Sequence, residues 1–266
     1  MEIITSVQNG KVKELRKCLQ QKKYRQQTGR FVVEGEKMVR EACQDGMEVD
    51  IIFVREDLAG DMHGLPAEKC VLATNQVLRA VSDTVTPQGM VAALRMPQAD
   101  LQSAAQRENA LLLLCERVAD PGNLGTLIRC ADAAGADGVI LCGCADVYNP
   151  KTVRATMSSL YHVPAIVQQD AMQTVQWLHE QGFTSYAAAL QEAQPPFAAN
   201  LRGKTVLCVG NEANGLTKEL IQLCRYRVKI PMPGRAESLN VSCAAAVLLY
   251  EAVRQRIFEK SEENET

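Results

Sequence analysis

Two rhythms of apolar and polar positions divide the chain. Residues 11–21 carry helical character, and FVVEG (31–35) reads as a short strand that turns through Gly35 into a helix over EKMVREACQDG, with Gly46 as its stop. The apolar runs DIIFV (50–54) and KCVLA (69–73), the helical stretch NQVLRAVSD and a final run GMVAALR (89–95) complete a small α/β unit. From 96 to 109 the chain reads MPQADLQSAAQREN, poor in apolar positions and opening near a proline, which predicts a linker or a solvated connecting helix.

Beyond it, the strand-like runs 110–115, 139–142, 164–167, 183–189, 205–210 and 226–230 alternate with helix-like segments at 124–134, 151–160, 170–181 and 217–223. That alternation predicts a mostly parallel sheet covered by helices. A last helix is expected from about Asn240 to Phe258, followed by a polar, acidic end. The expected division is a small α/β domain at 1–97, a linker at 98–108, a larger α/β domain at 109–260 and a polar tail at 261–266.

Composition narrows the class. Apolar residues make up 47% and charged residues 23% of the 266, which is ordinary globular usage with enough apolar surface for a sizeable core. No apolar run reaches membrane-spanning length and the start lacks a secretion-signal pattern, so the expected compartment is the cytoplasm. The ten cysteines lie mostly inside apolar runs, as reduced, buried thiols would. Cys142 and Cys144 sit close together, but with no second pair or nearby His they do not support a metal site, and none is expected. The net charge of −2 argues against nucleic acid, yet residues 1–30 hold eight Lys/Arg against Glu2 and Glu14. Such a segment is either a solvated helix face or a phosphate-contacting patch. Lys22, Lys23, Arg25 and Arg30 are the candidate contacts. The three histidines, 63, 162 and 179, have no assignable role.

Three loops of the larger domain could carry chemistry. In DPGNLGTLIRC, Pro121 and Gly122 break the preceding strand, Asn123 is placed to cap a helix beginning at Leu124, and Arg129 follows on that helix. Ligands of open α/β sheets collect at the carboxyl edge, so Arg129 is a candidate for phosphate or developing negative charge; its structural alternative is a pair with Asp132 or Glu116. In VLCVGNEANGLTKEL, Glu212 projects from a loop bounded by Gly210 and Gly215, two glycines that permit close approach of backbone to a ligand. In KIPMPGRAESLNVSC, Pro231 and Pro233 bar strand continuation, and Ser238 or Asn240 caps the final helix. Neither the dinucleotide fingerprint nor the P-loop pattern occurs, which weighs against an oxidoreductase or a P-loop triphosphatase.

The ordered set N-x-G-x-x-x-R at 123–129, G-N-E-x-x-G-L at 210–216 and I-P-M-x-G-x-x-x-S-L-N at 230–240 resembles the SpoU/TrmH family of RNA 2′-O-methyltransferases. FVVEGEKMVREA (31–42) and TPQGMVAAL (86–94) are similar to the substrate-binding domain of its ribosomal-RNA members. The resemblance implies a SPOUT catalytic domain with a deep trefoil knot and S-adenosylmethionine as methyl donor. It implies cofactor contacts, largely through backbone groups, at Gly210, Ile230 and Leu239, with Met232 and Gly215 nearby. It also implies a homodimer, and polar site residues at Asn123, Arg129, Glu212, Ser238 and Asn240. The implied substrate is a ribose 2′-hydroxyl, of 23S ribosomal RNA in the first place and of transfer RNA as the alternative.

One stretch departs from the pattern. VRATMSSLYHVPAI (153–166) carries Ser158 where the family commonly has glycine. On the implied mechanism, Arg129 grips a phosphate or the developing alkoxide, because a guanidinium is a poor general base. Glu212 then orients the hydroxyl or Arg129, Asn123, Ser238 and Asn240 fix loops and cofactor, and the proton leaves to a phosphate oxygen or water. A noncatalytic RNA-binding protein of the same fold is a competing reading that the intact polar set disfavours. Cysteine-based base methylation is another, disfavoured because no cysteine sits in a recognisable nucleophile loop.

Overall fold

The computed structural model describes residues 2–263 and the side chains of 2–257. Two compact units divide it: residues 1–98 with 146–162, and residues 99–145 with 163–266.

The first unit opens with β1 (Ile3–Ile4), α1 (Gly10–Gln20), α2 (Lys22–Thr28), β2 (Arg30–Glu34), α3 (Glu36–Gln44), β3 (Val49–Arg55), β4 (Cys70–Ala73), α4 (Asn75–Ala80) and β5 (Met90–Arg95). Its five strands form a mixed sheet in the order β1-β4-β3-β5-β2. Asn9 caps α1 by accepting from the Lys11 N–H, and the helix buries Val12, Leu15, Cys18 and Leu19 while Lys11, Lys13, Arg16 and Lys17 stay exposed. α3 ends as its sequence suggests: Gly46 takes φ 72, and the next N–H, of Met47, reaches back to the Ala42 carbonyl at 2.9 Å.

Into the second unit the chain runs through α5 (Leu101–Ala105), β6 (Leu111–Glu116), α6 (Pro121–Ala133) and β7 (Gly138–Cys142). The expected linker is therefore not a solvated helix. Ala104 and Ala105 of α5 are buried in the second unit's core, with Ala99 and Leu101 packed against it.

Residues 146–162 belong to the first unit. Asn149 caps α7 (Pro150–Thr156), which stops short of the expected helix at 151–160 because Met157 and Ser158 both take left-handed backbone, φ 48 and 75. Ser158 is buried and its hydroxyl donates to the Glu41 carboxylate at 2.5 Å. Tyr161 donates to the Met38 carbonyl, and Arg154 pairs with Asp83. These bonds tie 146–162 to α3 and the strand-edge loops of its own unit.

The second unit closes with β8 (Ala165–Gln168), α8 (Ala171–Glu180), β9 (Thr184–Ala188), β10 (Thr205–Val209), α9 (Lys218–Leu223), β11 (Tyr226–Val228) and α10 (Val241–Glu263). Its six strands run parallel in the order β11-β9-β10-β6-β7-β8. Every residue of β6, β7 and β10 is buried, as a parallel sheet covered on both faces requires. The order reverses between β6 and β10, so the loops leaving these two strands meet at a topological switch point on the carboxyl edge. α10 runs through Glu263 and so includes the first residues of the expected tail; 264–266 lie outside the described residues. No helix among the described residues is long and apolar enough to cross a membrane.

Candidate functional site

The loop after β10 is shaped by its glycines. A Cβ on Gly210 would stand 2.1 Å from the Gly215 carbonyl carbon and 2.2 Å from the Leu216 nitrogen, so no side chain fits there. Gly215 takes φ 67, and the Asn211 and Gly215 backbones bond each other in both directions at 3.0 and 2.9 Å. The Asn211 carbonyl oxygen of the side chain accepts from the Ala213 and Asn214 N–H groups, while its amide donates to the Arg117 carbonyl at 3.0 Å. At the loop's far end Thr217 caps α9 and is gripped by the buried Glu116 at the end of β6, which accepts from its N–H at 2.7 Å and its hydroxyl at 2.8 Å.

The loop after β6 meets this turn through Glu212. One carboxylate oxygen accepts from the Asp120 N–H at 3.2 Å and the Asn123 side-chain amide at 3.1 Å; the other accepts from the Ala119 N–H and the Asn211 amide, both at 3.3 Å. A carboxylate offers about four lone-pair sites, and four donors fill them here. Partial burial pushes the Glu212 carboxyl up, but these hydrogen bonds outweigh it and hold the group below its usual value.

Asn123 does not cap α6. Asp120 does, accepting from the Asn123 N–H with Pro121 at the first helical position. That leaves the Asn123 side chain free to link two loops. Its amide reaches Glu212, and its oxygen accepts from the Asn240 amide at 3.0 Å. Asn240 in turn accepts from the Ser242 N–H at 2.9 Å, capping α10, and the Ser242 hydroxyl donates to the Asn123 carbonyl at 3.1 Å. A continuous chain of hydrogen bonds thus joins the three motif loops through Glu212, Asn123 and Asn240.

Arg129 and Ser238 stand outside that chain. Arg129 is exposed on α6, while Glu116 and Glu212 are taken up by other donors. Ser238 is exposed and makes no hydrogen bond among the described residues. The segment 230–239 offers its main chain outward: among the described residues none of its backbone groups bonds within the chain, with Ile230 and Met232 half-buried and Leu239 exposed. Uncommitted N–H and C=O groups beside apolar side chains suit a ligand with an adenine ring and an amino-acid end, such as S-adenosylmethionine. Among the described residues no group of three or more His, Cys, Asp or Glu could hold a metal ion.

On the first unit the basic candidates separate. Lys22 and Lys23 are exposed. Arg25 is 3% exposed, donates to the Cys18 and Leu19 carbonyls at the end of α1 and pairs with Asp146 at 2.5 Å. It is a structural pin and is withdrawn from the expected phosphate contacts. Arg30 is half-buried between Asp50 and Glu14.

Sequence reasoning missed Asn211, Ser242 and Thr217, and named Glu116 only as an alternative partner of Arg129. Only Thr217, followed three residues later by Leu220 on a helical run, carried a capping signal; the others are recognised by partners that lie far along the chain.

Comparison with known proteins agrees with this geometry. The profile of the SpoU rRNA Methylase family matches residues 110–250, and that of the MRM3-like substrate binding domain matches residues 9–92. The chain is 38% identical over 251 residues to the 23S rRNA (guanosine(2553)-2′-O)-methyltransferase RlmP of Bacillus subtilis, covering 94% of this chain and 98% of that one. It is 33% identical to the 23S rRNA (uridine(2479)-2′-O)-methyltransferase of Streptomyces viridochromogenes, covering 96% and 92%. An AdoMet-bound rRNA methyltransferase from Sinorhizobium meliloti superposes with a TM-score of 0.86 at 32% identity, covering 95% and 97%. A tRNA-modifying TrmH/SpoU enzyme of A. aeolicus superposes on only 60% of the chain, with a TM-score of 0.52.

Proposed function

Since the chain belongs to the SpoU rRNA methylase family, we propose that it transfers a methyl group from S-adenosylmethionine to a ribose 2′-hydroxyl of 23S ribosomal RNA. The observation that carries this reading is the hydrogen-bonded union of the three motif loops at the switch point of the parallel sheet. Ribosomal rather than transfer RNA is favoured because the first unit matches a substrate-binding domain, and the rRNA enzymes align with nearly the whole chain.

Bound S-adenosylmethionine supplies an electrophilic methyl. Gly210, Gly215, Ile230, Met232 and Leu239 would hold it, through backbone groups of the loops after β10 and β11 and the apolar faces beside them. The protein's own task is alignment, which can supply roughly 7–11 kcal/mol of the barrier. A guanidinium is a poor general base, so Arg129 binds a phosphate or the oxygen that gains charge, and the proton leaves to a phosphate oxygen or to water. Glu212, its lone pairs filled, does not orient the ribose hydroxyl or act as a base; it positions the loop after β6. Asn123 and Asn240 hold that loop to α10, and Ser238 is left to face the ligand. Lys22 and Lys23, beside the exposed basic face of α1, would contact RNA phosphates.

A homodimer is part of this reading. α10 leaves Cys243, Val247, Tyr250 and Ile257 exposed at helical spacing, an apolar stripe suited to a second copy. The deep knot implied by the family would thread the carboxyl-terminal segment through a loop.

Transfer of radiolabelled methyl to undermethylated ribosomal RNA tests the whole reading. Incorporation at an alkali-resistant linkage, lost in Arg129→Ala, is expected; no incorporation into any RNA by a folded, cofactor-binding protein would select the noncatalytic RNA-binding alternative.

A further inference from the structure

Arg117 is the first residue after β6, and its backbone takes φ 55. A long side chain in the left-handed region costs of order 1 kcal/mol, where glycine would sit freely. The conformation is imposed from both sides: the Arg117 N–H donates to the Cys142 carbonyl at 2.8 Å, and its carbonyl accepts from the Asn211 amide at 3.0 Å. The turn therefore demands this backbone whatever the side chain, and an arginine occupies it.

That arginine has no internal use. Its side chain is exposed, and among the described residues its guanidinium makes no hydrogen bond or ion pair. Elsewhere in the second unit Arg107 pairs with Asp137, Arg227 with Glu192 and Arg254 with Glu251. Of the neighbouring carboxylates, Glu116 is buried against Thr217, Glu212 is filled by four donors, and Asp120 caps α6. The Arg117 stem runs beside Gly143: the Cγ lies 3.5 Å from where a Cβ on that residue would stand, an ordinary contact distance. The charge is thus projected, unneutralised, from the carboxyl edge, two and three residues before the N–H groups that seat Glu212.

We propose that Arg117 binds a backbone phosphate of the RNA beside the ribose presented for methylation, an inference that rests on the function proposed above. A guanidinium offers a fixed fork of donors matched to a phosphate's oxygens, and a polyanion is the partner of the proposed reaction that lacks a counter-charge at this edge. The strained turn fixes where the fork emerges.

The test compares Arg117→Gly, Arg117→Asn and Arg117→Lys with the full-length wild type. Melting temperature, S-adenosylmethionine affinity, and affinity for in vitro transcribed 23S ribosomal RNA across a salt series are read for each. Arg117→Gly relieves the backbone and should melt no lower than wild type; asparagine tolerates the left-handed region and covers the case in which the glycine variant folds poorly. Both should keep cofactor affinity within about twofold, and RNA affinity should fall roughly tenfold. The slope of log affinity against log salt should become shallower by about 0.7 for one lost phosphate contact. Arg117→Lys keeps the charge and should retain that slope. Folded glycine and asparagine variants with wild-type RNA affinity and slope would overturn the assignment. Failure of the wild type itself to bind or methylate the RNA would instead overturn the proposed function, so the two failures are told apart by the wild-type control.

Discussion

Glu212 is an acid whose position invites a catalytic role and whose hydrogen bonds refuse it. Four donors converge on its two oxygens, and they hold the carboxyl below its usual value. A group whose folded value is depressed contributes stability fully above its unfolded value, near 4.5, and loses that contribution as pH falls through the lower folded one. On the proposed function cofactor binding uses the seated loop, so its affinity is expected to be flat at neutral pH and to decline only below about 4.5. Glu212→Gln turns an amide donor toward N–H groups that are themselves donors, so binding and transfer should both weaken at pH 7 and the acid decline should vanish; titration calorimetry across pH reads both. A Gln variant with wild-type affinity would show that the carboxylate's charge is idle. At Gly210 the argument is steric alone. A methyl there meets backbone at 2.1 Å and nothing flexible can yield, so Gly210→Ala should cost about 3 kcal/mol or unfold the loop, read as a fall in melting temperature and loss of cofactor binding.

Elements rather than residues were what the apolar pattern revealed. The strands of the second unit were legible because a parallel sheet buried on both faces reads as unbroken apolar runs, LLLLC and VLCV among them. Helix ends were less so. Asn123 looked like a cap because it precedes an apolar residue, but Asp120 with Pro121 behind it captures the turn earlier and frees Asn123 for Glu212. The links Asn240–Asn123 and Ser242–Asn123 span more than a hundred residues, and no local spacing encodes them. Arg25 was misread for the same reason, since nothing near it in sequence announces Asp146. The end of α7 shows what a departure from pattern does physically. Ser158 takes φ 75, where glycine would relieve roughly 1 kcal/mol of strain. Its buried hydroxyl, however, donates to the Glu41 carboxylate, and a hydrogen bond to a charged group is worth about 1.5–3 kcal/mol. The bond wins that comparison, so Ser158→Gly should lower stability by about 1 kcal/mol despite the better backbone, and chemical denaturation gives the sign directly; a stabilised variant would mean that strain dominates.

The first unit presents a charged surface and the second an apolar one, and each suits a partner of its own. Net charge is only −2, yet α1 and the start of α2 expose Lys11, Lys13, Arg16, Lys17, Lys22 and Lys23. Replacing Lys22 and Lys23 by Ala removes two proposed phosphate contacts and should flatten the salt slope of RNA binding by about 1.5, leaving cofactor affinity unchanged. The apolar counterpart is α10. Its exposed positions 243, 247, 250 and 257, with Val247 44%, Tyr250 53% and Ile257 59% accessible, follow the alternating spacing of a helix seam, while Ala245, Leu248, Leu249 and Ala252 are buried in the helix's own unit. An isolated chain would leave these side chains in water, where a second copy could cover them symmetrically. Because they are exposed in the single chain, charging them should not disturb its fold. On the proposed homodimer, the wild type is expected to sediment as a dimer, and Val247→Glu combined with Ile257→Glu to give a folded monomer with a melting temperature set by the single chain. If the wild type sediments as a monomer at the concentrations of the transfer assay, α10 has no second copy to cover it, and the homodimer falls without touching the assignment of the three loops.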